Sequence, residues 1–285
     1  MTKDTIFLKV KDHSVSGEEF DLLRHNELDM LITSPQPKEQ SLADYYKSED
    51  YISHTSHKRN IFEFVYHIVR KIALKRKLRL LNSLSSKSKR LLDIGCGTGD
   101  FIAFAHKNGW IVSGVEPNEK AKSIAASKVE NTVYDVNYLS SLESGSFDAI
   151  TLWHVLEHLP DLQKHLQIFK NALSLNGHLI IAVPNFNSYD AKHYKDFWAA
   201  YDVPRHLWHF SRSSIKEIFK PYGFKLQKEQ PMLFDAFYVS LLSEKYKTGR
   251  MNPIKALWIG FMSNLKSRRT KEYSSIIYIF KKTNS

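Results

Sequence analysis

Cysteine is almost absent from this chain of 285 residues, which contains only Cys96. A single thiol cannot form an internal disulfide, nor can it build a zinc site of the cysteine type. Long apolar runs are missing as well. Residues 256–262, one of the longest, fall far short of the roughly 20 residues that span a bilayer. Because the first residues also lack the apolar core of a signal peptide, we expect a globular protein of the cytoplasm.

Acidic residues are scarce in two stretches of the chain. Residues 61–90 contain a single acid, Glu63, a second basic cluster occupies residues 266–271, and the formal net charge is +11. Such a charge either attracts an anionic partner, such as nucleic acid, a membrane surface or an acidic substrate, or forms a solvated helix face. Because no nucleic-acid-binding motif accompanies it, we favour the solvated face and do not expect nucleic acid as the partner.

Hydrophobic periodicity divides the chain into two parts. Residues 1–60 are poorly periodic, whereas residues 61–82 predict a helix. From residue 89 onwards strands and helices alternate, which predicts an α/β fold with a parallel, doubly wound sheet. Two helices at residues 235–266 then precede a last strand at residues 274–281. The apolar face of the first helix would consist of Ile61, Phe64, Val65, Ile68 and Ile72.

A glycine-rich turn separates the first of these strands from its helix. It contains Gly95, Cys96, Gly97 and Gly99 and follows Asp93. Glycine permits positive φ angles and a close approach of backbone to ligand, and the helix start offers free N–H groups, so the turn suits a nucleotide. The Gly-x-Gly-x-Gly spacing departs from the dinucleotide fingerprint, and the lysine of a phosphate-binding loop is absent. An acid before the turn favours a ligand with an ammonium or sulfonium group, and S-adenosylmethionine carries both.

Acids at the next two strand ends extend this pattern. Glu116 ends the second strand, at the distance from the turn where a carboxylate accepts hydrogen bonds from ribose hydroxyls. Asp135 ends the third strand, where an acid can contact the adenine amino group. The three strand ends together predict an S-adenosylmethionine site.

With residues 146–150 and 155–161, these motifs resemble the class I S-adenosylmethionine-dependent methyltransferase family. Within it, the chain is most similar to the branch that includes ubiquinone-pathway O-methyltransferases. The resemblance implies a Rossmann-like, doubly wound sheet of seven strands with an antiparallel last strand. We expect an N-terminal extension at residues 1–60 and a methyltransferase domain at residues 61–285, in which the apolar side chains at residues 233–270 form either a helical cap or simply part of the core.

The resemblance also implies individual contacts. Asp93 and Gly95 would hold the methionine end of the cofactor, Glu116 the ribose, and Asp135 with Val136 the adenine. The expected cofactor-binding residues are Asp93, Gly95, Cys96, Gly97, Gly99, Glu116, Pro117, Asp135, Val136 and Trp153. Some relatives begin with a zinc segment that contains cysteines. Because residues 1–60 have none, we expect a metal-free remnant there.

Two polar clusters that follow strand ends are candidates for the methyl-accepting side. In the first, ubiquinone-type relatives can hold a divalent metal with a Glu-x-x-Glu-His pattern, but His154 replaces the first glutamate before Glu157 and His158, so we expect no metal. The alternative is that Glu157 and His158 only organise the loop by hydrogen bonds. Histidine suits a general base at neutral pH. The candidate catalytic residues are His154, His158 and His206.

The second cluster, after the fifth strand, combines aromatic, arginine and histidine side chains, as the rim of a binding site does. Arg205 could pair with a carboxylate or phosphate of the acceptor, although a packed loop with satisfied histidines is the alternative. The expected acceptor-binding residues are Trp198, Arg205, His209, Asp235 and Tyr238.

These features predict a methyltransferase that uses S-adenosylmethionine and methylates a small-molecule or lipid-linked acceptor at oxygen. The basic helix and the helical cap would suit a lipid-like or anionic acceptor and a peripheral contact with a membrane. An RNA methyltransferase, suggested by the charge, and a non-catalytic cofactor-binding scaffold are the alternatives.

Overall fold

A computed structural model of the protein describes residues 5–38, 43–46, 61–84 and 88–283. The strands are β1 Ile6–Lys11, β2 Glu19–Arg24, β3 Met30–Ser34, β4 Arg90–Ile94, β5 Ile111–Val115, β6 Val133–Tyr134, β7 Phe147–Trp153, β8 Leu173–Pro184, β9 Trp208–Phe210, β10 Phe224–Pro231 and β11 Ser275–Lys282. The helices are α1 Ile61–Ser83, α2 Asp100–Lys107, α3 Glu119–Ala126, α4 Leu162–Ala172, α5 Tyr189–Tyr194, α6 Arg212–Phe219, α7 Asp235–Thr248 and α8 Pro253–Thr270.

The larger sheet has seven strands in the order β10-β11-β8-β7-β4-β5-β6. Strand β11 pairs antiparallel with both β10 and β8, and the pairs from β8 to β6 are parallel. This confirms the predicted doubly wound sheet with its antiparallel last strand. The central strands are buried along their length, as in β7, because helices cover both faces and leave no solvent side. The carboxyl ends of β4, β5, β6 and β7 therefore meet at one edge.

A second sheet of four antiparallel strands, in the order β1-β2-β3-β9, was not predicted. Its first three strands come from the N-terminal extension, and β9 comes from the segment that follows β8. Strand β3 meets β9 in the pair Leu31 with His209. The extension is thereby attached to the second polar cluster. Residues 47–60, the rest of the predicted extension, lie outside the described residues.

The apolar face predicted for α1 is exposed at the two positions whose side chains the structure describes. Ile68 and Ile72 are exposed, and the helix instead buries Leu78 and Leu81 against the large sheet's layer of helices. The side chains of Ile61, Phe64 and Val65 lie outside the described residues. The periodicity does not predict burial here, because only the second half of α1 packs against the core. Among the described residues, no helix is long and apolar enough to cross a membrane.

Candidate functional site

The three glycines of the turn after β4 all have positive φ, but they do so for different reasons. A Cβ on Gly95 would lie 2.4 Å from Val155 Cγ2, and one on Gly99 would lie 2.8 Å from Ala125 Cα. Those two glycines allow the turn to pack against its neighbours. A Cβ on Gly97, at φ +56°, would meet nothing within 4 Å. Gly97 therefore faces open space, and its backbone is accessible to a ligand.

Glu116, at the end of β5, holds this turn in place. Its side chain is buried, with Oε2 accepting a hydrogen bond from Gly97 N at 2.8 Å and Oε1 accepting one from Asn118 N at 3.0 Å. A carboxylate has about four acceptor positions, so both oxygens can still accept from a ribose. Burial raises the pKa of Glu116, and its backbone bonds partly oppose that change. Pro117, the next residue, is exposed.

Asp93, at the end of β4, is fully enclosed. Thr151 Oγ1 on the neighbouring strand β7 donates a hydrogen bond to Asp93 Oδ1 at 2.5 Å. Burial raises the pKa of Asp93 to about 7. A cationic group of a ligand would favour the ionised carboxylate. The site therefore fits the ammonium of a methionine moiety better than it fits a phosphate.

Lys77 on α1 also belongs to this site, although sequence analysis assigned the basic residues of that helix to a solvated face. Its Nζ lies 4.2 Å from the ring centroid of Trp153 and 5.6 Å from that of Phe101. Burial lowers the pKa of Lys77 to about 8, while Asp93 and Asp235 oppose the change. No local signal distinguishes Lys77 from its basic neighbours, because only the packing of α1 selects it.

The remaining predicted cofactor residues surround the turn. Cys96 is buried beneath it, and burial raises the pKa of this thiol well above its ordinary value. Trp153 contacts Phe101 edge-on at 5.6 Å. Asp135 and Val136 are exposed at the end of β6, where Asp135 Oδ1 accepts a hydrogen bond from Asn137 N at 2.7 Å. All of these positions lie at the carboxyl edge of the sheet. Their contacts with the adenine and methionine ends of the cofactor stay predictions.

On the acceptor side, His154 is held between two carboxylates. Its Nε2 lies 2.9 Å from Asp235 Oδ2 on α7, and its Nδ1 lies 3.4 Å from Glu157 Oε1. Burial alone would lower the pKa of His154, but the two carboxylates raise it well above its ordinary value. His154 is therefore charged at neutral pH, and it supports the site as an ion-paired donor. The geometry does not favour the base role that the sequence predicts for it.

His158 and His206 differ from His154 in their partners, because the Nδ1 of each ring contacts a backbone carbonyl. His158 Nδ1 lies 3.0 Å from Arg205 O, and His206 Nδ1 lies 2.9 Å from Ala200 O. Because a carbonyl oxygen only accepts, the Nδ1 of each ring carries a hydrogen. Burial lowers the pKa of His158 to about 4, so this ring is neutral at pH 7. The centroids of the two rings lie 4.5 Å apart, and the rings pack edge-on.

Glu157 lies beside these two rings and is 1% exposed. Its Oε1 forms the ion pair with His154 Nδ1 at 3.4 Å, and neither carboxylate oxygen has a partner in hydrogen-bond geometry among the described residues. Glu157, His158 and His206 each offer one ligand atom, and these atoms lie within 4.8 Å of one another. A carboxylate and two imidazoles, whose Nδ1 atoms bond to backbone carbonyls, form a donor set that suits Zn²⁺. That no metal binds here stays a prediction, and Glu157, His158 and His206 are the residues at which to test it.

Arg205 is placed differently from the sequence expectation. It is buried, and its guanidinium donates to Asp12 Oδ1 at 2.9 Å, to Asp202 Oδ1 at 2.8 Å and to Tyr45 O at 3.0 Å. These bonds join the N-terminal sheet to the segment after β8. The geometry therefore gives Arg205 a structural role and does not direct its donors to an acceptor.

Trp198 and His209 are also interior residues. Trp198 Nε1 donates to Asp190 Oδ2 at 2.8 Å, and His209 Nε2 lies 2.9 Å from Thr33 Oγ1. Tyr238 lies on the exposed side of α7. The structure thus groups His154, His158, His206 and Asp235. The side chains of Trp198, Arg205 and His209 are occupied by interior partners beside this group, and Tyr238 is exposed, so their acceptor-binding roles stay predictions. The structure also adds Tyr46, whose hydroxyl lies 3.0 Å from His158 Nδ1.

Known protein sequences resemble the core of this chain. The methyltransferase domain family matches residues 64–229. A ubiquinone biosynthesis O-methyltransferase of Coxiella burnetii is 28% identical over 127 residues, which is 42% of this chain and 53% of that protein. An uncharacterized methyltransferase of Alkaliphilus oremlandii is 29% identical over 117 residues, 40% of this chain and 54% of that protein. The chain spans about half the length of these curated relatives.

Solved structures share the fold. A SAM-dependent methyltransferase from Archaeoglobus fulgidus matches with a TM-score of 0.51 and 21% identity, covering 78% of this chain and 100% of that one. An N-methyltransferase from Haemonchus contortus, in complex with S-adenosylhomocysteine, matches with a TM-score of 0.55 and 17% identity, covering 89% of this chain and 63% of that one. Because the family match covers more than half of the chain, the protein belongs to the methyltransferase domain family, whose members depend on S-adenosylmethionine.

Proposed function

We propose that the protein transfers the methyl group of S-adenosylmethionine to an oxygen of a small-molecule or lipid-linked acceptor. The assignment to oxygen rests on one observation: the rings of His158 and His206 lie beside the buried carboxylate of Glu157, and the Nδ1 of each ring bonds to a backbone carbonyl. A hydroxyl must lose its proton as it is methylated, so it benefits from such a group. A neutral amine already carries a lone pair and needs no base before it is methylated.

The cofactor would occupy the carboxyl edge of the large sheet. The open backbone at Gly97 would lie against it, Glu116 would accept from the ribose hydroxyls, and Asp93 would face the ammonium. When bound, S-adenosylmethionine supplies an activated methyl group. The protein's task is then to align the acceptor oxygen and to exclude water.

The chain's own groups divide this work. His158 or His206 takes the hydroxyl proton at Nε2, and the carboxylate of Glu157 stabilises the imidazolium that forms. The ion pair between His154 and Asp235 fixes the loop after β7 to α7, so that the cap and the catalytic loop keep their relative position. A metal ion held by Glu157, His158 and His206 would lower the pKa of the acceptor hydroxyl in place of the base.

Methyl transfer to phenolic hydroxyl and amine acceptors, measured with radiolabelled S-adenosylmethionine, tests this proposal. We expect the wild-type protein to prefer the hydroxyl acceptors. Whichever of His158→Gln and His206→Gln removes the base should lower kcat by roughly 100-fold, and both should leave the Kd for the cofactor unchanged. His106→Gln, on the exposed side of α2, is the matched control and should be fully active.

The outcomes separate the alternatives. Methylation of amines alone, or an unchanged kcat in both histidine variants, would contradict the assignment to oxygen. Absence of cofactor binding in calorimetry would contradict the methyltransferase proposal as a whole. Chelation that abolishes turnover, with recovery on adding Zn²⁺, would assign the cluster to a metal ion, whereas turnover that resists chelation would assign it to a base.

A further inference from the structure

The second helix of the cap, α8, exposes large apolar side chains. Ile254, Leu257, Trp258, Phe261 and Leu265 have exposed fractions from 42% at Leu265 to 82% at Ile254. Their spacing, i, i+3, i+4, i+7 and i+11, places them on one side of the helix. We call this stripe the α8 face. A surface helix in water shows the opposite arrangement, so this side of α8 suits an apolar neighbour.

The inward side of α8 holds the helix in this orientation. Its buried residues are Ala256, Ile259, Gly260, Ser263 and Ser267. A Cβ on Gly260 would lie 2.6 Å from Phe237 Cδ1, so α7 and α8 approach each other too closely there for a larger residue. Ser263 Oγ donates to the buried Asp190 Oδ1 at 2.6 Å. Rotating α8 to hide its apolar stripe would break this bond and open the contact between the helices.

Neighbouring elements extend the α8 face. Asn264 Nδ2 donates to Leu233 O at 2.9 Å, and the guanidinium of Arg76 on α1 lies 5.5 Å from the ring centroid of Phe234. These contacts bring α1, the start of α7 and α8 side by side. The exposed apolar residues contributed by the first two are Ile68, Ile72, Leu233, Phe234 and Tyr238. The result is an apolar surface larger than isolated surface residues produce.

The exposed charged residues of α8, and those of α1 whose side chains the structure describes, are all basic. Residues 251–271 contain no acid. Beyond the end of the α8 face, Lys266, Arg268, Arg269 and Lys271 are exposed, and α1 exposes Lys71, Lys75, Arg76 and Arg79. An apolar stripe with a basic rim and an exposed tryptophan is the pattern of helices that lie in the interface of an anionic membrane.

We propose that the α8 face and its neighbours on α7 and α1 dock this protein on anionic lipid membranes. The apolar side chains would enter the boundary between headgroups and acyl chains, and the basic rim would contact lipid phosphates. A second copy of the chain fits less well, because it would bring two basic rims together. The docking surface adjoins the candidate site, since Phe234 precedes Asp235, whose carboxylate contacts His154. Delivery of a lipid-linked acceptor by this route rests on the proposed function, whereas docking itself does not.

Vesicle flotation tests the docking. The full-length protein is mixed with phosphatidylcholine vesicles that either contain or lack phosphatidylglycerol. We expect binding only to the anionic vesicles and a weaker interaction at high salt. Trp258→Gln combined with Phe261→Gln should lower the partition coefficient by at least about tenfold. Arg268→Glu with Arg269→Glu should remove the preference for phosphatidylglycerol.

The matched control combines Ile111→Gln with Leu175→Gln, two residues that are 66% and 63% exposed outside this surface. It should bind vesicles like the wild type. All five tryptophans lie within the described residues, and only Trp258 is exposed, so a blue shift in fluorescence on vesicle binding should vanish in the Trp258 variant.

Two results would overturn the proposal. One is a wild-type protein that fails to float with anionic vesicles. The other is a wild-type dimer in sedimentation that the Trp258 and Phe261 substitutions convert to a monomer, which would assign the surface to a second copy. Cofactor affinity, measured by calorimetry on the same samples, reports separately on the proposed methyl transfer.

Discussion

The cofactor side and the acceptor side of the site are assembled in different ways. The turn that faces the cofactor presents its backbone to the ligand and is held by bonds to backbone N–H groups, such as those that the Glu116 carboxylate accepts from Gly97 and Asn118. The acceptor side depends on residues far apart in the chain. Arg205 bonds to Asp12, and His154 bonds to Asp235. Its histidines are therefore positioned by the N-terminal sheet and by the cap.

The two sides of the site should therefore respond differently to substitution. Backbone geometry governs the cofactor turn, so a single side chain added to the open glycine should block binding without loss of the fold. Buried side-chain pairs govern the acceptor side, so removal of one partner should first appear as a loss of stability.

Arg205→Met should cause the largest effect on stability. It leaves the carboxylates of Asp12 and Asp202 without their buried partner, and removing one member of a buried ion pair costs about 3–5 kcal/mol. The free energy of unfolding in urea measures this loss. Arg212→Met, which breaks a more exposed pair with Glu229, is the control and should cost less. A larger loss in the control would contradict the role of Arg205 as the link between the N-terminal sheet and the segment after β8.

Gly97→Arg should lower cofactor affinity by at least about 100-fold, because the new side chain fills the open space over the turn. Gly109→Arg is the matched control. Both glycines have positive φ, at +56° and +84°, and a Cβ on either meets nothing within 4 Å. Both variants should lose about 1–2 kcal/mol of stability from backbone strain. Calorimetric titration with S-adenosylhomocysteine should find the affinity lost only at position 97, and equal losses would contradict the placement of the cofactor.

Glu116→Ala should weaken cofactor binding by about tenfold or more, because it removes a charged acceptor for the ribose and two bonds that hold the turn. The same titration measures the effect. Glu119→Ala, an exposed position on α3, should bind like the wild type. An unchanged affinity in Glu116→Ala would exclude this carboxylate from the site.

The pH dependence of stability isolates Asp93. Its pKa in the folded protein, about 7, lies above the ordinary value of 3.8. Between these values the folded state binds more protons than the unfolded state, so this group makes stability fall as the pH rises from about 4 to 7. Asp93→Asn should flatten that slope in melting curves of the cofactor-free protein and lower cofactor affinity at pH 8. A slope identical to that of the wild type would show that the carboxyl is already ionised at low pH.

Each region was predictable to the extent that its contacts are local. Most strands and helices from residue 89 onwards were predicted from their apolar runs and periodicity, whereas the short helix α5 was not. Strand β9 was missed, since three residues carry no period and the strand exists only through its pairing with β3. The outward face of α8 was missed for a related reason. The sequence of α8 is compatible with burial of either its large apolar side chains or its small ones, and only its packing against α7 shows which side is buried.

For the site, residues 93–116 suffice to specify the cofactor, because glycines and acids at consecutive strand ends are brought to one edge by any parallel sheet. The chemistry of the histidines could not be read in this way. Folding places His154 between two carboxylates and gives His158 a carbonyl partner, and these contacts raise the pKa of the first ring while burial lowers that of the second. The same folding occupies Arg205 with Asp12, some 190 positions earlier in the chain. A side chain's charge and availability depend on its neighbours in space, and those neighbours are defined only once the two sheets and the cap have packed together.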